Sequence, residues 1–235
     1  LKVTMSHPEF HFDCSITYRY ICTSVFNIQN DEPMMHKLSF LLCLLMPLLL
    51  SAQQSEVISL NNGWQFSQST FSKANHDHGL SPSQWYEAEV PGSVQRDLVR
   101  LGILPDPFYG TNEAEVQWVE EENWDFKKSF TLTSDQLQYD AAVLFLEGLD
   151  THADLFLNGS RILRSENMFL GYKIPVKSLL KEGENKLYIR FYSPIAMMMP
   201  ARASFGYDYP AGNDHRVEKL SVYNRKAPYH FGWDW

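Results

Sequence analysis

From Gln53 to Trp235 the sequence predicts an all-β fold, a jelly-roll β-sandwich carrying short helices. Three observations predict it. Apolar residues recur at every second position in several runs, the spacing that turns one face of a strand toward a core. An Asn-Gly pair joins two such runs, the preferred chemistry of a two-residue hairpin. Helix-period segments are few and short, so sheets must bury one another, and two antiparallel layers do so.

Taken in order, Ser93 can cap a short helix over VQRDLVRLG, in which Val94, Leu98 and Leu101 share one face and Gly102 ends the segment. Trp124, Phe126, Phe130 and Leu132 lie at even spacing and predict a strand with one face in the core. Ser134 opens a shorter helical candidate. AVLFLEGL, Ala142 to Leu149, is nearly continuously apolar and predicts a strand buried on both faces. ADLFLNGSRIL divides at Asn158-Gly159 into two strands with a type I′ turn. Asn158-Gly159-Ser160 also matches a glycosylation acceptor, but the hairpin tip accounts for it without sugar. Lys177 opens another short helical candidate, and Leu187, Ile189 and Phe191 then alternate with Tyr188, Arg190 and Tyr192. From Pro194 to Pro228 there are four prolines and no sustained period, which predicts a long ordered loop of the kind that often carries function.

The amino end has a different character. Met35-His36-Lys37, the apolar run Leu38 to Leu50 and the small pair Ser51-Ala52 have the order of a secretory signal peptide, and the run is short for a membrane span. The expected organisation is an upstream extension at 1–34 outside the fold, a signal peptide at 35–52, and the sandwich at 53–235. The protein is then expected to be periplasmic or secreted, with no membrane association after signal removal. The only three cysteines are Cys14, Cys22 and Cys43, so the sandwich has no disulfide. From Gln53 onward 24 acidic residues outnumber 17 basic ones, a balance that argues against nucleic acid as a partner.

Few residue groups suggest chemistry. Glu120-Glu121-Glu122 is a carboxylate run, but three consecutive side chains point in different directions, and a solvated face accounts for them. His76-Asp77-His78 lacks an evident third ligand, so no metal site is expected. Met197-Met198-Met199 reads as gap-filling beneath the loop. There is no phosphate-binding loop, nucleophile elbow or zinc spacing. Trp233-Asp234-Trp235 is different in kind. A carboxylate between indoles can accept from adjacent sugar hydroxyls while an aromatic face covers the C–H side of the ring. The same spacing also suits two core tryptophans on one strand face with Asp234 directed at solvent.

Five segments, VPGSVQRDLVRLGILPDPFYGTNE, QWVEEENWDFKKSF, GLDTHADLFLNG, NMFLGYKIPV and RKAPYHFGWDW, together resemble the amino-terminal sugar-binding domain of β-mannosidases of glycoside hydrolase family two. They occur in the family's order, from about Leu60 to Trp235, and FGWDW is the element that points to mannosidases. The resemblance implies a jelly roll like a galactose-binding domain, followed in such enzymes by an immunoglobulin-like domain, a TIM barrel and further sandwich domains. It implies that Asp234 binds hydroxyls of the mannose in the −1 subsite, with Trp233 and Trp235 shaping that pocket. The family's reaction is retaining hydrolysis by two barrel glutamates, and no glutamate here matches either. The chain is therefore expected to hold no catalytic residue, to need no metal or cofactor, and to be inactive alone. Its expected partner is a β-mannoside oligosaccharide or glycan. Two other readings stay open: a stand-alone carbohydrate-binding module, and the same domain of a related β-glucosaminidase or endo-β-mannosidase.

Overall fold

Alternating side chains build two sheets in the computed structural model, which describes residues 1–7, 55–70, 80 and 84–232. Nearly all of these residues fall within one unit, Leu1–Met5 with Val57–Trp235. A second unit, Ser6–Glu56, is described only at its two ends. The proposed signal peptide and all three cysteines lie outside the described residues.

The six-stranded sheet runs β4 (Tyr86–Ala88), β3 (Trp64–Gln68), β5 (Trp124–Leu132), β10 (Gly183–Phe191), β7 (His152–Leu157) and β8 (Ser160–Glu166). The four-stranded sheet runs β2 (Ser55–Ser59), β1 (Lys2–Ser6), β6 (Ala141–Leu146) and β9 (Tyr172–Pro175). Neighbours that are not consecutive in sequence, such as β5 and β10, are what a jelly roll requires. The inward sets Trp64 and Phe66, Trp124 to Leu132, Leu187 and Ile189, and Ala153 to Leu157 join Ala142, Leu144 and Leu146 in one core. Phe66 stands at its centre, with the rings of Tyr86, Trp124 and Phe126 at 5.8 to 5.9 Å. Such pairs contribute about 0.5–1.5 kcal/mol each beyond area burial.

The outer face of the six-stranded sheet carries a row of alternating charge. Asp125, Arg190, Asp154 and Arg164 are successive cross-strand neighbours on β5, β10, β7 and β8. Arg190 donates to both oxygens of Asp125 at 2.8 and 3.1 Å, and Arg164 to both of Asp154 at 2.8 and 2.7 Å. The Arg164 hydrogen bonds, opposed by burial and aided by the Tyr192 hydroxyl, hold the Asp154 carboxyl below its usual range.

The hairpin forms as its sequence requires: Asn158 and Gly159 take φ of 50° and 87°, the left-handed pair of a type I′ turn. The first helix, α1 (Val94–Arg100), begins on the Ser93 hydroxyl, which accepts from Arg96 N, and Gly102 follows with φ 70°.

Five expectations are corrected. Strand β6 alternates instead of being buried on both faces, because Val143 and Phe145 lie on the outer side of the four-stranded sheet, where Lys2 Nζ covers the Phe145 ring. Leu101 caps α1 instead of packing with Leu98, and is exposed. The stretch after Pro194 is not all loop: Pro194–Ser204 forms α2, with Ser193 accepting from Ala196 N and Pro194 in the first turn. Ser-Pro is itself a helix-start signal, here masked by Pro200 within the helix. Met197 to Met199 sit on this helix, not beneath a loop. Finally, the opening residues belong to the fold. Val3 and Met5 are each 1% exposed, and the two-residue alternation of a five-residue strand places them in the core between β2 and β6. No helix among the described residues is long and apolar enough to cross a membrane.

Candidate functional site

The segment after α2 lacks a period, so side chains must order it. Asp214, 1% exposed, does most of this. One of its oxygens accepts from Arg216 N at 3.2 Å and Arg216 Nε at 3.3 Å, the other from Ser221 N at 3.0 Å, and its carbonyl accepts from Lys219 Nζ at 3.1 Å. Arg216 also pairs with Glu120 and lays its guanidinium over Phe231, 5.1 Å from the ring centroid. Gly232 follows with φ 141°, and a Cβ there would stand 2.5 Å from the Asn213 carbonyl oxygen. Only glycine brings the chain this close.

A second group of contacts holds the same segment at the β6–β7 turn. Lys226 Nζ donates to Asp150 Oδ2 at 2.6 Å, and His230 Nε2 lies 3.5 Å from that oxygen. Met168 N donates to the Arg225 carbonyl at 3.1 Å, and Ala227 N to Met168 Sδ at 2.9 Å. Segments GLDT, NMFLGY and RKAPYHFG, far apart in sequence, therefore meet just ahead of residue 233. A cavity of about 510 Å³ borders this meeting point, with Asp150, Lys226, His230, Glu120, Glu122 and Trp124 among its walls.

The electrostatics follow from partial burial. Burial alone would raise the Asp150 carboxyl, but the Lys226 charge and hydrogen bond, with Thr151 and His230, outweigh it and hold it below the usual range. Burial and then the Lys226 charge push the His230 imidazole down against the pull of Asp150. Burial raises the Glu120 carboxyl despite Arg216.

Trp233, Asp234 and Trp235 lie outside the described residues, as do His76, Asp77 and His78. Among the described residues no group of three or more His, Cys, Asp and Glu could hold a metal ion. The carboxylate run is not a solvated face. Glu121 is exposed, but Glu120 is paired with Arg216, and Glu122 is 1% exposed with no hydrogen-bond partner for either oxygen among the described residues. Sequence reasoning missed Asp150, Lys226 and His230 as an ion cluster, although all three lie in segments singled out above. Arg216 gave no signal, because its partners are distant in sequence or lie within an aperiodic loop.

A family model described as the glycosyl hydrolase 2 galactose-binding domain-like domain matches residues 64–235. A β-mannosidase B from Thermothelomyces thermophilus is 37% identical over 182 residues, 76% of this chain and 20% of that protein. A probable β-mannosidase from Caenorhabditis elegans is 30% identical over 186 residues, again 76% of this chain and 19% of that protein. The solved β-D-mannosidase of Dictyoglomus thermophilum aligns with TM-score 0.65 and 37% identity, over 76% of this chain and 20% of that one. The chain thus spans about a fifth of the length of these relatives. With well over half of its residues matched by the family model and two antiparallel-stranded layers of the expected kind, the chain belongs to the glycosyl hydrolase 2 family as its galactose-binding domain-like, amino-terminal domain.

Proposed function

We propose that the chain is the amino-terminal, non-catalytic part of an exported, retaining exo-β-mannosidase that removes terminal β-D-mannose from oligosaccharides. Its contribution is the Trp233-Asp234-Trp235 element, with Asp234 accepting from mannose hydroxyls in the −1 subsite and the two indoles shaping the pocket. One observation carries this reading. The chain is clasped from two sides as far as Gly232, by Arg216 on Phe231 and by Asp150 on Lys226 and His230. A sugar-binding carboxylate gains affinity and selectivity when it is held in place before the ligand arrives.

The two glutamates of retaining hydrolysis would then lie in the part of the enzyme beyond this chain. The test is to read the gene past the codon for Trp235 and to assay both products on an aryl β-mannoside. The reading expects an open frame encoding a barrel with two placed glutamates, turnover by the longer product, and none by residues 1–235 alone. A stop codon directly after Trp235, with mannose bound by this chain alone, would replace it with a carbohydrate-binding module. Export adds a condition of its own. Strand β1 lies upstream of 35–52, so signal removal would take it from between β2 and β6. The amino-terminal sequence of the secreted protein decides that point.

A further inference from the structure

Glu122, on the segment leading into β5, is 1% exposed, and neither of its oxygens has a hydrogen-bond partner among the described residues. A carboxylate is almost never buried this far unless it is paired, because desolvation penalises the charge and no bond returns the loss. Nearby Glu120 shows the ordinary solution, an ion pair with Arg216. Glu122 instead contributes to the wall of the cavity of about 510 Å³, a volume in the range of small-molecule sites. That wall is acidic: Glu89, Glu120, Glu122, Glu147 and Asp150 stand against Lys226, His230 and the Leu1 ammonium. The cations are already engaged. Lys226 Nζ donates to Asp150 at 2.6 Å, and the Leu1 ammonium donates to Asn61 Oδ1 at 2.7 Å. His230 Nε2 lies 3.5 Å from Asp150, and burial with the Lys226 charge holds its imidazole toward the neutral form. Trp124, Phe126 and Phe191 also line the cavity. The Trp124 indole N–H is given to the Val119 carbonyl at 2.8 Å, so what this residue offers a ligand is ring surface.

We propose that this cavity binds a small organic cation, a primary ammonium on an apolar stem, with Glu122 as the counter-charge and the aromatic wall covering the stem. A hydroxyl can donate to Glu122 but leaves the buried charge uncompensated, whereas an ammonium donates and neutralises together. Aromatic faces add their own attraction for a cation. A metal ion is a poorer occupant, since among the described residues no group of three or more His, Cys, Asp and Glu could hold one.

The test uses butylammonium, with butanol as its neutral analogue of the same length. Titrated into residues 1–235 at neutral pH and constant ionic strength, millimolar butylammonium should shift the Trp124 indole and Glu122 amide NMR signals saturably. It should also raise the melting temperature. Butanol should bind more weakly by about tenfold or more. E122Q should weaken butylammonium binding by about tenfold or more, yet melt no lower than wild type without ligand, because the lost charge had no partner. Equal binding of amine and alcohol, undiminished binding by E122Q, or no saturable shift overturns the inference. An E122Q chain that melts below wild type or fails to fold also overturns it, since the carboxylate then serves the fold. Calorimetry on the complete enzyme that carries this chain supplies the last arm. The same preference for the amine there supports a ligand site. Binding by residues 1–235 that is absent from the complete enzyme would mean that a side chain from elsewhere fills the cavity, and would overturn the assignment to a small ligand.

Discussion

Replacing Gly232 by alanine tests whether the chain ahead of the tryptophan pair is held as tightly as its contacts imply. A Cβ at this position would stand 2.5 Å from the Asn213 carbonyl oxygen, with His215 Cδ2 at 3.6 Å, on a residue whose φ is +141°. Asn213 cannot easily yield, because Asp214 beside it is buried and accepts from Ser221 and from the Arg216 main chain and side chain. The backbone conformation alone costs an alanine about 1–3 kcal/mol, and the clash adds to it. Gly102 supplies the control. Its φ is +70° and a Cβ there would meet nothing within 4 Å, so G102A isolates the conformational cost, about 1–2 kcal/mol. At about 2–4 °C per kcal/mol for a domain of this size, the conformational cost alone should lower the melting temperature of G232A by roughly 2–12 °C, and the clash should place it below G102A. Alternatively the strain is relieved by release of the end segment, and the heteronuclear NOE of the Phe231 amide should then be lower in G232A than in wild type. A G232A protein with wild-type melting and an ordered Phe231 would refute the reasoning.

Acid should loosen the same clasp. His230 has a folded-state pKa below its ordinary 6.5, so the unfolded chain binds more protons, and stability falls as pH drops from about 6.5 toward the folded value. Asp150 is held below its ordinary range, so its ion pairs are fully present above about pH 3.9 and are lost as pH falls through the folded value. Denaturation curves across this range should therefore flatten in H230N and D150N; unchanged pH profiles would show that the cluster is not coupled to folding. At the hairpin, Asn158 Nδ2 donates to the Leu179 carbonyl and Asn185 Oδ1 at 2.8 and 2.9 Å, while its own Oδ1 accepts from Lys186 N at 2.9 Å. N158A should cost about 2 kcal/mol in chemical denaturation, and the mass of the expressed protein should show no glycan at Asn158. A chain beginning at residue 53 loses Val3 and Met5 from the core, each 1% exposed, and should be less stable than residues 1–235 by roughly 3–6 kcal/mol as an upper estimate. Equal stability would mean that β1 contributes nothing.

The fold was legible wherever one physical rule governed a segment. Even spacing at Trp124 to Leu132 and at Leu187 to Phe191 gave strands whose inward sets are those in the core, because side-chain alternation is fixed by strand geometry. Asn158-Gly159 gave its turn because left-handed backbone suits those two residues. Errors arose where two rules competed. Ala142 to Leu146 are apolar on both sides, yet a four-stranded sheet with an open outer face buries only alternate positions. In α2 the start signal of Ser193-Pro194 outweighed the internal Pro200. Lys2 to Ser6 alternate over too short a run to stand out from the residues that follow. The proposed sugar site lies in the Trp233-Asp234-Trp235 motif, outside the described residues, and its reading stands as a proposal. Trp233, Asp234 and Trp235 could be named from residue chemistry and resemblance, whereas the pairing of Arg216 with Glu120 spans a separation that no local pattern encodes.

The most direct test of the central claim is kcat/KM of the complete enzyme on an aryl β-mannoside, wild type against D234N. A carboxylate that accepts from two sugar hydroxyls loses about 1.5–3 kcal/mol for each charge-assisted hydrogen bond when its charge is removed, which corresponds to roughly a 10²- to 10⁴-fold fall. Such a fall, with the melting temperature unchanged, is the predicted result. A D234N enzyme that hydrolyses the mannoside as fast as wild type would contradict the assignment of this domain to the sugar subsite.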